Sequence, residues 1–240
     1  MQLPPFTPVV RAALILLGAI FVVQLGVAAA LGFDDGRYAA IVLGWLAVSS
    51  DAVLSGRIWT VFTYALLHSM DGVGHLLFNS LALWWFGAPL EQQIGGRRLT
   101  RVLVLGAIGG GLAVVLADLI GIGAGARVVG ASGATNAVVA CLLWRNRDHW
   151  FSFFVRLRGW QWLALFVLID VARAGATNVS LAAHIGGVLV GMALAQYGVP
   201  GGGNPLRRAW LKFKLWRTRR RLKTIRGGLD PDDDRPSTLH

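Results

Sequence analysis

Cysteine is almost absent from this chain. Cys141 stands alone among 240 residues, so no disulfide can form within the chain. Its place inside an apolar run makes it a small buried hydrophobe rather than a nucleophile. Charge is the second scarcity. Only 15% of the residues are charged, against about 25% in ordinary soluble domains. Acidic residues are the scarcer sign, 12 against 23 basic ones, which leaves a net charge of +11. That surplus lies in short loops and a tail beside apolar stretches, not in a groove-binding patch, and so argues against nucleic acid as the partner. The five histidines lack the spacing of a zinc site. No metal and no cofactor is expected.

What the chain has instead is apolar length, with 55% hydrophobic residues. Six stretches read as membrane spans: 12–31, 74–90, 102–123, 130–144, 160–171 and 181–197. About 20 helical residues cross a hydrocarbon core of about 30 Å. The fourth and fifth stretches are short and call for shielding by neighbours. The expected fold class is therefore an all-α membrane protein, a bundle of six transmembrane helices over 12–200. It is preceded by 1–11 and followed by a tail, 201–240. An outer loop at about 32–67 contains a short apolar piece, 38–48, which reads as an interfacial or re-entrant element. Val27-Ala28-Ala29-Ala30 offers small residues for signal-peptide cleavage. Against cleavage, Arg11 is the only basic residue before a long apolar run, so the first span is expected to be retained. Gln24 is that run's one strongly polar interruption.

Orientation follows from the loop cations. With the N-terminus in the cytoplasm, Arg11, Arg97, Arg98, Arg101, Arg145, Arg147, Arg156, Arg158 and the whole basic tail lie inside. Only Arg37, Arg57, Arg127 and Arg173 lie outside. The positive-inside rule then places both termini in the cytoplasm. The tail interleaves Trp210, Phe213 and Trp216 with Lys and Arg, a pattern suited to anionic lipid at about 1 kcal/mol per cation or to a solvated topology signal. Its Asp- and Pro-rich end, 230–240, reads as disordered.

Polar groups inside spans are costly and mark function. In this topology the second, fourth and sixth spans all begin at the outer side. His75 opens the second, Ser132 the fourth and His184 the sixth. A hydroxyl and two imidazoles therefore share one depth, and serine becomes a nucleophile when an adjacent histidine takes its proton. Gly130-Ala131-Ser132-Gly133 precedes an apolar helix, whose first backbone N–H groups are unpaired and lie at the positive end of the dipole. His75 and Asn79 share a helix face four residues apart and can both donate to an oxyanion. Gly187 and Gly191 form a small-residue face on the sixth span, with Gly133 as its partner on the fourth. Taken singly, each feature has a structural reading: helix packing for Gly-x-Ser-Gly, an interhelical clamp for His75 and Asn79, a packing histidine for His184. Asp170 with Arg173 reads as a loop-side ion pair.

These residues resemble the rhomboid family of intramembrane serine proteases over about 57–191. Gly130 to Gly133 is similar to the family's Gly-x-Ser-Gly, which implies that Ser132 is the nucleophile. Ala183 to Gly186 is similar to Ala-His-x-Gly, which implies that His184 is the general base. His75 and Asn79 match His-x-x-x-Asn of the oxyanion hole. His68 resembles a further, supporting histidine. Glu91, Gly95 and Arg98 resemble a structural Glu-x-x-x-Gly-x-x-Arg at the end of the second span. Two positions depart from the pattern: Trp59-Thr60 stands for Trp-Arg, and Asn136 for an aromatic beneath the histidine. Asn136 can instead hydrogen-bond the imidazole.

The resemblance implies a Ser-His dyad without a third, acidic member. It also implies transmembrane proteins as substrates and a multi-pass place in a plasma membrane, of bacterial type. A non-catalytic member of the fold that binds membrane proteins, and a small transporter, are the alternatives.

Overall fold

The computed structural model describes residues 3–32, 36–70, 72–122, 127–153, 155–174 and 181–198, together with Trp210, Lys214, Leu215 and Arg217. The chain divides into two compact units, Met1–Gly202 and Gly203–His240. In the second, the described residues are helical and exposed, and Lys214 Nζ stands 5.1 Å from the Trp210 ring. The rest of the basic tail, its acidic end and Gly123 lie outside the described residues.

Among its described residues the first unit holds six longer helices: α1 (Pro8–Leu31), α2 (Gly74–Ile94), α3 (Gly96–Leu119), α4 (Ser132–Arg145), α5 (Gly159–Ala174) and α6 (Leu181–Ala193). Each coincides with one of the apolar stretches, though the ends differ. The third begins six residues earlier than its apolar run, because Gly95 takes φ +81° and turns α2 into α3 with no intervening loop. The fourth begins at Ser132, two residues late, because Gly130 has φ +128° and cannot be helical.

Between α1 and α2 the chain stays in short turns. The apolar piece at 38–48 is a π-helical turn, Ala39–Leu43, followed by Gly44–Leu46, too short to span. One correction to the all-helical reading lies between α4 and α5. β1 (Trp150–Ser152) and β2 (Arg156–Arg158) pair antiparallel, with Trp150 opposite Arg158. Arg156 and Arg158 both stand 5.3 Å over the exposed Trp150 ring. The strands are three residues each, below the length at which alternation shows in a sequence.

Among the described residues two helices, α1 and α3, are long and apolar enough to cross a membrane. The 14-residue α4 is about 21 Å long, short of a bilayer core. It is also the most buried of these helices, with 10 buried residues from Gly133 to Leu143. Its neighbours surround it, so its length need not match the lipid. The bundle's outer surface is apolar instead: Leu16 and Val22 on α1, Phe78 on α2, Leu116 on α3, Leu168 on α5 and Leu189 on α6 are all exposed. An apolar exterior over buried polar groups is the pattern of a lipid-solvated bundle.

The glycines set how closely the helices meet. Gly109-Gly110-Gly111 on α3 point in three directions, to Val190 of α6, to the Tyr64 hydroxyl and to Val61 of the short turn Thr60–Thr63. On α6, a Cβ at Gly187 would fall within the carbonyl of Gly133, and one at Gly191 within that of Ala137. So α6 lies directly on the backbone of α4.

Candidate active site

That α4–α6 contact fixes where Ser132 and His184 stand. Gly133 follows Ser132 and Ala183 precedes His184. A Cβ on Gly133 would lie 3.4 Å from the Ala183 carbonyl. The two candidate residues thus flank this close contact between the helices, at one end of it. Ser132 is half-buried and His184 is buried. Among the described residues, no hydrogen bond joins the hydroxyl to the imidazole. Such bonds are often long in ligand-free enzymes and tighten with substrate.

Helix α4 starts at Ser132. Thr135 N donates to Ala131 O at 2.9 Å, so Ala131 is the cap. Ser132, Gly133 and Ala134 then supply the first-turn N–H groups that no helical carbonyl meets. These donors lie at the positive helix end, in the turn that Ser132 opens.

His75 closes the site from α2. A Cβ on Gly130 would stand 2.6 Å from His75 Cε1 and 2.7 Å from Nε2, so the imidazole lies on the Gly130 backbone, two residues before Ser132. His75 and His184 are within charge–charge range of each other. Asn79 is buried, and its Nδ2 donates to the His75 carbonyl at 2.9 Å. Asn136 is half-buried one turn along α4 from Ser132.

The loop before α2 holds these parts. Gly130 N donates to Tyr64 O at 2.9 Å. The Tyr64 hydroxyl donates to Ala107 O at 3.0 Å, and burial raises its pKa. His68 is 1% exposed, with its ring edge-on to His75 at 5.3 Å between centroids. Burial, and then the neighbouring His75, push the His68 pKa down to about 4, so the pair is not doubly charged at neutral pH. His68 is held in turn by Gln24 of α1. Gln24 Oε1 accepts from His68 N at 3.0 Å, and Nε2 donates to His68 O at 3.1 Å and to the Tyr38 hydroxyl at 2.7 Å. The polar interruption of the first span is therefore a brace for the site loop.

Sequence reasoning missed one residue. Asp170, on α5, places Oδ2 3.0 Å from His184 Nδ1, where the sequence reading paired it with Arg173. The contact is short but not aligned as a hydrogen bond, and Nδ1 is buried without another partner. The available signal was the expected depth: Asp170 lies one turn from the end of α5 and His184 one turn into α6. Among the described residues no cluster of three or more His, Cys, Asp or Glu is placed to hold a metal ion.

At the opposite end, the Glu-x-x-x-Gly-x-x-Arg residues have a physical account. The Glu91 carboxylate accepts from Thr7 Oγ1 at 2.5 Å, Val9 N at 3.0 Å and Val10 N at 3.1 Å, which caps α1. Gly95 makes the turn. Arg98 donates to the Ile94 carbonyl at 3.1 Å, which caps α2.

Comparison with known proteins agrees with this arrangement. The chain is 30% identical over 143 residues to RHOMBOID-like protein 5 of Arabidopsis thaliana, covering 59% of this chain and 44% of that one. It is 29% identical over 154 residues to Rhomboid-related protein 3 of Homo sapiens, covering 59% and 36%. It is 30% identical over 159 residues to Rhomboid protease GlpG of Salmonella paratyphi A, covering 64% and 53%. The chain thus spans about half or less of the length of these relatives. The family model of the Rhomboid domain matches residues 55–200, more than half of the chain and every element around Ser132 and His184, so the chain belongs to the rhomboid family, whose members are integral membrane proteins.

Proposed function

We propose that this chain is an intramembrane serine endopeptidase that cleaves transmembrane protein substrates with Ser132 and His184. The observation that carries the reading is the seating of Ser132 at the free N–H end of α4, beside the glycine contact that holds α6 and His184. In this mechanism His184 takes the Ser132 proton as Oγ attacks a peptide carbonyl. The oxyanion faces the Ser132 N–H with His75 and Asn79. The amine leaves with the proton from His184, and water hydrolyses the acyl-enzyme by the same steps in reverse. A helical substrate hides its carbonyls in its own hydrogen bonds, so it must unwind near its outer end. The six helices all cross the bilayer, the short α4 inside a sheath of the others, with both termini in the cytoplasm and the basic tail on anionic lipid.

The test is labelling of the detergent-purified protein by a fluorophosphonate. Wild type is expected to label, and Ser132→Ala and His184→Ala to lose labelling by at least about 10³-fold. A folded, monodisperse wild type that stays unlabelled would sink the protease reading. It would favour a rhomboid-like protein that binds membrane proteins without cutting them, the reading that Asn136 in place of an aromatic supports.

Gly130→Ala separates site from scaffold. Its backbone sits where a side chain costs about 1–3 kcal/mol, and the new Cβ would displace His75. Labelling is expected to slow by about 10²-fold, the effect of losing one oxyanion donor, with a fall in thermal unfolding temperature of a few degrees. Undiminished labelling would remove His75 from the mechanism.

A further inference from the structure

The structure assigns Asp170 as the positioning residue of His184, an acidic third member behind the pair. The assignment deepens the protease reading and rests on it. A general-base imidazole must present one bare nitrogen to the serine, so its other nitrogen carries the proton and needs an acceptor. His184 Nδ1 is buried with no aligned hydrogen-bond partner. An orphaned nitrogen in a lipid-solvated bundle is costly, unless something meets it during the reaction. Among the described residues, the acceptor brought to it is Asp170 Oδ2, at 3.0 Å.

The two side chains come from the facing ends of consecutive helices, Asp170 one turn from the end of α5 and His184 one turn into α6. Asp170 is about a quarter exposed, so the carboxylate keeps contact with solvent beside the imidazole. When His184 takes the Ser132 proton, the new cation then has its counter-charge already in contact, and the ring is held in the tautomer that the attack requires. The role also fits Asn136. An aromatic beneath the imidazole would hold the ring by its face, whereas a carboxylate at Nδ1 holds it by its edge, so one can stand in for the other. No proton need reach Asp170 for this; it orients and stabilises.

The experiment compares fluorophosphonate inactivation of wild type, Asp170→Ala, Asp170→Asn and Asp170→Glu in detergent, resolving the maximal rate from the probe's half-saturating concentration. Thermal unfolding is followed on the same samples. Asp170→Ala and Asp170→Asn are expected to lower the maximal rate by about 10²-fold or more. Half-saturation and unfolding temperature should stay near wild type, and Asp170→Glu should recover part of the rate. Variants that react at the wild-type rate, while Ser132→Ala does not react, would overturn the role of Asp170 and leave the serine mechanism standing. A rate loss matched by a large fall in unfolding temperature, without recovery in Asp170→Glu, would make Asp170 structural and also overturn it. A wild type that does not react overturns the protease reading itself.

Discussion

Alanine at Gly187 is expected to destabilise the protein by about 4 kcal/mol or more, and valine to leave no folded protein to purify. The magnitude follows from what the new atom would meet. Overpacking usually costs about 1–3 kcal/mol because side chains can swing aside. Here the obstacle is backbone: the Gly133 carbonyl, with its carbon 2.9 Å and the Gly133 Cα 3.2 Å from the added Cβ. Backbone in a buried helix cannot swing, so α4 and α6 must separate, and effects of this size are reserved for such cases. Separation also removes Gly191 from Ala137 and draws His184 away from Ser132. Reactivity is therefore expected to vanish in whatever fraction still folds. Thermal unfolding in micelles measures the first effect and fluorophosphonate labelling the second. Gly18, on α1, is the control, because nothing lies within 4 Å of its would-be Cβ. Gly18→Ala should be neutral or stabilising by about 0.5–1 kcal/mol. A Gly187→Ala protein as stable as wild type would mean that the helices do not touch there.

The sequence foretold this contact in part, and the reason is physical. Lipid cannot hydrate a backbone, so each span must be a helix with an apolar exterior, and the six helices are legible as apolar runs. Small residues four apart mark where helices touch, which made Gly187, Gly191 and Gly133 readable. Read as alternating spans, the apolar runs gave His75, Ser132 and His184 a common expected depth. What depth does not give is azimuth. Asp170 was visible at the right level, but which way it faced around α5 was not, so it was paired with its sequence neighbour Arg173. Gln24 stood out as a polar residue in an apolar run, while its partners Tyr38 and His68 are 14 and 44 residues away and no local rule connects them. The β1–β2 hairpin was missed because three-residue strands carry no period.

The same limit hid the partner of Glu91, whose loss should be the second large effect. Glu91→Ala is expected to cost about 3 kcal/mol and to free the start of α1. Helix α1 lies outside the matched Rhomboid domain, residues 55–200, and is held to it by side-chain contacts. Glu91 supplies one at the first turn. Its carboxylate, 7% exposed, takes up the Thr7 hydroxyl and the Val9 and Val10 N–H groups. Thr7 makes no side-chain cap of its own. A negative charge at a helix N-terminus is stabilised by the dipole, and each charge-assisted bond is worth about 1.5–3 kcal/mol. These bonds share one group and do not add, hence a total near the upper single-bond value. Glu91→Gln keeps one acceptor oxygen but sets an amide N–H₂ against N–H donors, so about half the loss is expected to remain. Glu91 is 16 residues from His75 along α2, about 24 Å, at the far end of the bundle from Ser132. Reactivity toward a fluorophosphonate well below the unfolding temperature should therefore stay within about threefold of wild type, while thermal unfolding moves down by several degrees. Gln24→Leu reverses that pattern, because Gln24 braces the His68 loop: labelling should fall more than stability does. If Glu91→Ala slows labelling as strongly as it lowers the unfolding temperature, the two ends of the bundle are coupled through α2 and the cap does more than hold α1.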